Sequence, residues 1–149
     1  MAVHLLDVNV LIALMDPAHA FHRGATTWFL KHRSEGWATC PTTESGFIRI
    51  LSNPKYPNIS LSPAQGAELL VRLVEANSST HNWWPENLSL RDTAVFALSN
   101  LTSYKQITDA ALLALAAGNG GKLATCDLRI GAAAVLAASA ASITAITQA

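Results

Sequence analysis

Short apolar runs separated by longer amphipathic stretches dominate the pattern of residues along the chain. Five runs of four or five residues, bounded mostly by charged residues, Gly or Pro, have the length and composition of buried β-strands. The first run ends at Asp7, and Pro85 stops the third. The pattern predicts strands at residues 3–6, 37–40, 81–84, 122–125 and 142–146.

Between these runs, apolar residues recur every three or four positions, which is the period of an amphipathic helix. Ser62 followed by Pro63 is a good helix start, and the Asp16-Pro17 pair closes the first helix. Thr108 is placed to cap a helix of high intrinsic propensity that ends at a glycine-rich stretch. The predicted helices cover residues 8–15, 21–33, 42–51, 63–75, 89–98 and 109–117, and an Ala-rich helix follows Asp127.

Short apolar strands that alternate with helices indicate an α/β fold. In such folds the sheet is parallel and helices cover both of its faces. The chain has 149 residues, the length of one domain, and it contains no internal repeat and no linker-like stretch. We therefore expect a single domain that spans residues 1–149.

The composition narrows the class of protein further. Hydrophobic residues make up 50% of the chain and charged residues only 13%, which excludes intrinsic disorder. Ten Lys and Arg residues balance ten Asp and Glu residues, so no net field draws the protein to nucleic acid or to a membrane surface. Any binding of nucleic acid therefore depends on a local patch or on a bound metal ion.

The end of the chain carries no charge. Residues 130–149 have about the length of a bilayer span, but they are mostly Ala, Ser and Thr, so membrane insertion would be weakly driven. The first residues lack the basic segment that opens a signal peptide. We expect no membrane association and a cytoplasmic location.

Four of the ten acidic residues occupy positions where a solvated surface charge is not expected. Asp7 follows the first predicted strand, and Asp127 comes just after the fourth. In parallel α/β sheets, ligands bind outside the carboxyl ends of the strands. Glu44 and Asp109 lie on helix faces whose other residues are apolar.

Each of these acids also has a purely structural explanation. Asp7 and Asp127 could cap helices that follow their strands, and Asp109 could complement a helix dipole. Glu44 has no Ser or Thr three residues before it, so it is not a capping-box acid. A structural Glu44 would instead pair with Arg49 or with another arginine.

A bound cation would account for all four acids together. Two like charges about 4 Å apart repel by about 4 kcal/mol at an effective dielectric constant of about 20. Carboxylates gathered at one sheet edge would therefore protonate or move apart unless a cation lay among them. Hard oxygen ligands favour Mg²⁺ or Mn²⁺ over zinc, and such ions can activate water for in-line attack on phosphorus.

Four segments, taken in order, resemble the motifs of PIN-domain nucleases, and they look most like those of the VapC toxins of bacterial toxin–antitoxin pairs. The segments are LLDVN at 5–9, WATCPTTE at 37–44, QITDA at 106–110 and LATCD at 123–127. Each motif alone is weak, but four of them in this order and at these spacings are fairly specific. The resemblance covers nearly the whole chain.

The resemblance implies a PIN-like domain with a five-stranded parallel sheet in the order 3-2-1-4-5, flanked by helices. It also implies an endoribonuclease that depends on Mg²⁺ or Mn²⁺, forms a homodimer and is silenced by a cognate VapB-type antitoxin. Asp7, Asp109 and Asp127 would hold the metal ion. The residues that match the family's acidic and supporting positions are Asp7, Glu44, Asp109, Asp127, Asn9 and Thr125.

The implied strand order also bears on the two cysteines. Cys40 would follow the second strand and Cys126 the fourth, with the first strand between them. Strands two places apart are separated by ~9.6 Å, beyond the limit of about 7 Å between Cα atoms that a disulfide can bridge. We therefore predict two free thiols.

Other chemically capable residues have simpler explanations. His19 and His22 have the spacing of a metal pair, with His32 nearby, but no cluster of soft ligands accompanies them, which favours surface or loop histidines. Trp83 and Trp84 could stack on bases, although core or partner contacts are favoured. Asp92 is interpreted as a surface acid. Scattered basic residues could meet RNA phosphates: Arg23, Arg33, Arg49, Lys55 and Arg129.

Two other functions are weighed against RNA cleavage. The segment from Asp7 to Asn9 is similar to the Asp-x-Asp opening of aspartyl-phosphate phosphatases, but that chemistry needs a second Asp as general acid. A catalytically silent PIN-like module that binds RNA or protein is the stronger alternative. Because all four acids are present, we favour the nuclease.

Overall fold

A five-stranded, all-parallel sheet forms the centre of the protein. The computed structural model describes residues 2–149. The strands are β1 (His4–Leu6), β2 (Trp37–Thr39), β3 (His81–Trp83), β4 (Lys122–Thr125) and β5 (Ile143–Ala145). Their order is β3-β2-β1-β4-β5, which confirms the order implied by the family resemblance. Each strand lies within one of the apolar runs.

Five α-helices lie in the described part of the chain, and local signals set several of their ends. The Ser62 hydroxyl accepts the Gln65 amide hydrogen at 3.1 Å, and Pro63 is the first residue of its helix, as predicted. The amide of Asp16 closes the first helix by donating to Ile12. The helices are α1 (Val8–Met15), α2 (His22–His32), α3 (Pro41–Leu51), α4 (Pro63–Ala76) and α5 (Ile107–Gly118).

The two faces of the sheet bury two separate apolar clusters. Successive residues of a strand point to opposite faces. Leu6 and Ala124 therefore pack with α1, α2, α3 and α4. Leu5 and Leu123 pack with α5 on the other face. Four helices thus pack on one face of the sheet. The other face has only α5, so other segments must bury the rest of its apolar residues.

Two segments without helical structure provide that cover, and here two predicted helices were wrong. Residues 89–97 and 128–138 form turns, and Phe96 and Val135 join them through an antiparallel bridge. The Ala97 amide also donates to the Ala134 carbonyl at 2.9 Å. Both Phe96 and Val135 are buried in the cluster beside α5. Pairing between distant segments therefore overrides the helix propensity of the Ala-rich stretch.

The start of α5 also differs from the prediction. Gln106, and not Thr108, is the residue before the helix. A 3₁₀ turn over Tyr104–Gln106 runs directly into α5, and the Ser103 side chain caps this turn. Because the turn supplies the first bonds, the helix begins at Ile107 and Thr108 is left without a capping role.

The structure also bears on the two cysteines and on the charge-free end of the chain. Cys40 is buried, Cys126 is partly exposed, and both are free thiols, as predicted. The charge-free stretch after Ile130 forms turns, a 3₁₀ turn and β5. Within residues 2–149, no helix combines the length and the apolar character needed to cross a membrane.

A buried carboxylate anchors the loop between α3 and α4. Asp16 is 1% exposed and accepts hydrogen bonds from the Tyr56 hydroxyl, from Asn58 Nδ2 at 2.7 Å and from the Ala18 amide at 2.9 Å. Burial by itself would raise the pKa of Asp16, but these three donors outweigh it and lower the pKa. The ionised carboxylate therefore stabilises the fold.

We expect Asp16→Asn to destabilise the fold by about 1.5–3 kcal/mol, because in either orientation the NH₂ group of the new amide faces a donor, either the Ala18 amide or Tyr56 and Asn58. The wild-type contribution should be lost as the pH falls below the ordinary Asp range, since the folded-state pKa is lowered. Urea denaturation measures both effects. Tyr56→Phe, which removes one donor, should cost less. Equal stability of Asp16→Asn and wild type would contradict the assignment.

Candidate active site

Three of the predicted acids meet at the carboxyl edge of the sheet. Asp7 directly follows β1, and Asp127 lies two residues beyond β4. The two strands are neighbours, with Leu6 paired to Ala124, so these acids emerge side by side. Asp109 lies in the first turn of α5, close enough to Asp7 and Asp127 for their charges to raise its pKa in addition to the effect of burial. The structure therefore places Asp7, Asp109 and Asp127 within electrostatic range of one another at the carboxyl edge, and we call these three residues the acidic group.

Asp7 is both a helix cap and a member of this group. Its Oδ1 accepts the Val8 amide hydrogen at 2.7 Å, at the N-terminus of α1. Its Oδ2 accepts the Thr125 hydroxyl hydrogen at 2.8 Å. The side chain is only 7% exposed. The structural explanation of Asp7 as a helix cap therefore holds, and its two oxygens are fixed in position beside the other acids.

Thr125 and Asn9, the two supporting residues, link the ends of β1 and β4 through hydrogen bonds. The buried Thr125 hydroxyl, besides donating to Asp7, accepts from Asn9 Nδ2 at 3.2 Å and from the Asp127 amide at 3.1 Å. Asn9 Oδ1 in turn accepts the Cys126 amide hydrogen at 3.1 Å. The network orients Asp7 and fixes the backbone that carries Asp127.

Burial and mutual repulsion make this group electrostatically unfavourable. Burial raises the pKa of Asp7, and the charge of Asp127 adds to that increase, against the lowering by the Thr125 and Val8 hydrogen bonds. Burial, followed by the charges of Asp7 and Asp127, raises the pKa of Asp109 to about 6. A cation among the three carboxylates would remove the cause of the repulsion.

This arrangement predicts a specific pH dependence for the metal-free protein. The pKa of Asp109 is raised to about 6 from an ordinary value of 3.8, so the folded state binds the proton more tightly than the unfolded state. The contribution of Asp109 to wild-type stability should therefore fall as the pH rises from about 4 to about 6, and Asp109→Asn should not show this component. Chemical denaturation in EDTA measures the difference between the two proteins. A difference that is constant across this range would contradict the electrostatic assignment.

Asp127 faces an arginine of its own turn. Arg129 donates from Nε to Oδ1 at 3.0 Å and from Nη2 to Oδ2 at 3.1 Å, and its amide donates to Oδ1 at 2.9 Å. These bonds lower the pKa of Asp127. The Arg129 side chain is 89% exposed, so the pair contributes little stability and can open. No helix follows Asp127, so its interpretation as a helix cap does not apply.

Glu44, in the first turn of α3, belongs to a separate set of hydrogen bonds that involves side chains of β2 and β3. Its Oε2 accepts the Thr39 hydroxyl hydrogen at 2.8 Å, and Thr39 Oγ1 also lies 2.8 Å from His81 Nε2. Burial lowers the pKa of His81, and the charge of Glu44 opposes that shift. Within residues 2–149, no ion pair joins Glu44 to Arg49. The structure thus connects Glu44 to Thr39 and His81, two residues that the sequence reasoning did not select.

The other candidate residues are engaged elsewhere. His19 accepts the Phe21 amide hydrogen, His22 contacts the Ala13 carbonyl, and His32 pairs with Glu35. Trp84 packs with the cluster beside α5, but Trp83 is 53% exposed, so it is not a core residue. Asp92 is exposed in a turn. The basic side chains named from the sequence all lie on the surface: Arg23, Arg33, Arg49, Lys55 and Arg129.

Comparisons with known proteins identify the family of the chain. The PIN-domain family model matches residues 4–136. Ribonuclease VapC44 from Mycobacterium tuberculosis is 42% identical over 131 residues, which cover 88% of this chain and 90% of the relative. Ribonuclease VapC39 from the same organism is 40% identical over 123 residues, or 83% of this chain and 87% of the relative.

A solved structure shows the same fold. A chain in the crystal structure of VapBC2 from Rickettsia felis, bound to a DNA fragment from the promoter, aligns with a TM-score of 0.61. The alignment covers 97% of this chain and 99% of that chain at 11% identity. Together with the family match over most of the chain, these relatives show that the protein belongs to the PIN-domain family, among the VapC-type toxins.

Proposed function

We propose that this protein is an endoribonuclease that depends on Mg²⁺ or Mn²⁺ and hydrolyses RNA phosphodiester bonds. In this proposal the whole chain, residues 1–149, acts as one PIN domain in the cytoplasm, forms a homodimer and is neutralised by a VapB-type antitoxin. The support comes from relatives named as ribonucleases at 40–42% identity and from the likeness to a chain of a VapBC complex. The carboxylates of Asp7, Asp109 and Asp127 support the metal requirement of this proposal.

The observation that carries the proposal is the position of Asp7, Asp109 and Asp127 at the same carboxyl edge of the sheet, where their like charges repel. A fold tolerates such a group when a cation offsets the charges. All the donors are carboxylate oxygens, which suit Mg²⁺ and Mn²⁺ and do not favour a softer metal ion. The chemistry of the donor set therefore fits the proposed metal.

The side chains would have to adjust to hold the ion. Within residues 2–149, no three Asp, Glu, His or Cys side chains are close enough together to hold a metal ion as they stand. Asp127 is the acid that can turn, because its partner Arg129 is exposed and the pair is easily opened. Asp7, Asp109 and Asp127 would then hold the ion, and Glu44 would complete the site directly or through water.

In the proposed reaction the ion would supply the chemistry at the water and the phosphate, and residues of the chain hold the ligands of the ion in position. When bound, the ion would lower the pKa of a coordinated water and offset negative charge on the phosphate. Thr125 and Val8 keep both oxygens of Asp7 oriented for that ion. Asn9, through Thr125 and Cys126, fixes the turn from which Asp127 reaches the site. In the proposed metal site, Asp7 is thus a ligand held in a fixed position, and Asp127 is a ligand that can change its orientation.

The experiment that tests the proposal is cleavage of total RNA by the purified protein, with Mn²⁺ and with EDTA. Any co-purified antitoxin is first removed under denaturing conditions, and circular dichroism verifies refolding. We expect cleavage with Mn²⁺ and none with EDTA. Cleavage in EDTA would contradict the metal requirement. The absence of cleavage by folded protein on total RNA would favour the binding-module alternative.

A further inference from the structure

A cavity opens directly beside the acidic group. Its volume is about 300 Å³, and Asp109 and Asp127 form part of its wall. The rest of its wall comes from the loop before α5, the first turn of α5 and the turn after Asp127. A volume near 300 Å³ lies at the lower end for small-molecule sites, so the cavity can take one compact ligand unit and not an extended segment.

The cavity wall combines an apolar surface with two cations. Leu101, Ala110 and Ile130 contribute the apolar part, which suits the flat face of an aromatic ring. Lys105 and Arg129 are the cationic side chains in the wall, and both are exposed. They provide positive charge next to carboxylates that would otherwise repel an anionic ligand. The lining therefore matches a molecule with an aromatic ring and a phosphate.

Two amide side chains in the wall, those of Asn100 and Gln106, each use only one of their two hydrogen-bonding groups within the protein. The Gln106 oxygen accepts the amide hydrogens of Thr102 at 2.7 Å and of Ser103 at 3.1 Å, which leaves its NH₂ group to donate. Asn100 uses its NH₂ group on the Ala133 carbonyl at 2.8 Å, which leaves its oxygen to accept. Gln106 is half-buried and Asn100 is exposed at the rim of the cavity, so both groups are within reach of a ligand. A donor and an acceptor are thus available for the polar edge of a base.

We propose that this cavity is a nucleotide subsite, which binds the ribonucleotide next to the phosphate that is cut. This inference rests on the proposed nuclease function, and it adds residues that select the substrate. Lys105 and Arg129 contact the phosphate, the apolar wall packs on the base, and Asn100 and Gln106 contact its edge. Arg129 is exposed and its pair with Asp127 opens easily, so its guanidinium can turn to the nucleotide phosphate.

Gly131 permits a clean test, because it lines the cavity and an added Cβ would meet no atom within 4 Å. Gly131→Trp therefore adds an indole at the wall of the cavity with room for its Cβ, and we expect it to block the cavity. Gly118 is the matched control, since a Cβ there also meets nothing within 4 Å and the residue ends α5, away from the cavity. Neither glycine has a positive φ.

The measurement is titration of each protein with AMP, CMP, GMP and UMP in EDTA, followed through backbone amide shifts in NMR spectra. We expect at least one nucleotide to bind in the millimolar range and to shift amides of the cavity wall, with Gly131→Trp weakening it by about tenfold or more. Gly118→Trp should bind as the wild type does. The absence of shifts at the cavity, or unchanged binding by Gly131→Trp, would overturn the proposal.

Measuring RNA cleavage as well as nucleotide binding shows whether the subsite or the nuclease proposal has failed. Without metal, nucleotide binding is measured independently of any cleavage. If the wild type cleaves RNA but Gly131→Trp cleaves it at the same rate and with the same sequence preference, the subsite is wrong and the nuclease stands. If nucleotides bind in the cavity but no RNA is cut, the binding site stands and the nuclease proposal fails.

Discussion

Replacing Asp7 with Asn is expected to reduce RNA cleavage by more than about a hundredfold, because even partners one step removed from a metal ion cost about 10–100-fold when lost. Asp7 is the acid whose two oxygens are fixed, by Val8 and by Thr125. The substitution keeps the size of the side chain and removes its charge. Cleavage rates at saturating Mn²⁺ and the affinity for Mn²⁺ measure the effect, and both should fall.

The fold of Asp7→Asn should remain at least as stable in the absence of metal. Burial raises the pKa of Asp7, and Asp127 raises it further, so above this pKa the ionised side chain weakens the fold. Asparagine removes that charge, although it can keep only one of the two hydrogen bonds as an acceptor. A thermal melt in EDTA should therefore show an equal or higher Tm at neutral pH.

Asp92→Asn is the matched control for this experiment. It makes the same chemical change in an exposed turn, where Asp92 accepts the Ala94 amide hydrogen. It should leave cleavage and Mn²⁺ affinity unchanged. Full cleavage by Asp7→Asn would exclude the proposed site, and an equal loss in both variants would show that the effect is not specific to the acidic group.

Strands were the most predictable part of the fold, and burial on both faces gives the central strands β1, β2 and β4 their short apolar runs. The edge strands β3 and β5 are only partly buried, but all five strands lie inside the predicted segments, and Lys122–Thr125 has the predicted bounds. Periodicity alone leaves the order of the strands open. The order came from the family resemblance, which depends on motifs that include Asp7 and Asp127.

The two wrong helices show where local signals fail. Ser89 and Asp92 accept the backbone amide hydrogens of Arg91 and Ala94, which gives that segment a local alternative to a helix. The Ala-rich segment has high helix propensity, but its residues are required beside α5, where Val135 bridges to Phe96. A bridge between segments this far apart in the chain leaves no local trace in the sequence.

The candidate site was predictable to the same extent as the strands that carry it. Asp7 and Asp127 could be chosen because both follow strand ends, and Asp109 because it interrupts an apolar face. The pairing of Arg129 with Asp127 and the bond from Thr39 to Glu44 depend on side-chain rotamers and tertiary contacts. The spacing of two residues between Asp127 and Arg129 was the one local signal for the first of these contacts.

Thr125 gives the second large expected effect, because its hydroxyl uses its full hydrogen-bonding capacity. One hydroxyl has a single hydrogen to donate and two lone pairs to accept with. The hydrogen goes to Asp7, and the lone pairs take Asn9 and the Asp127 amide. Thr125→Val keeps the shape and leaves all three partners without this bond. We expect cleavage to fall about 10–100-fold and stability by about 1–3 kcal/mol.

The pH dependence and a serine variant distinguish this orienting role from a purely structural one. The Thr125 hydrogen bond lowers the pKa of Asp7, so without it that pKa rises and the loss of Mn²⁺ binding should be larger at acidic than at alkaline pH. Thr125→Ser keeps the hydroxyl and loses one buried methyl group, which costs about 1 kcal/mol of stability. It should therefore retain most of the cleavage and the wild-type pH profile. Wild-type cleavage by Thr125→Val, or an equal loss of activity in the serine variant, would show that the hydroxyl does not orient Asp7.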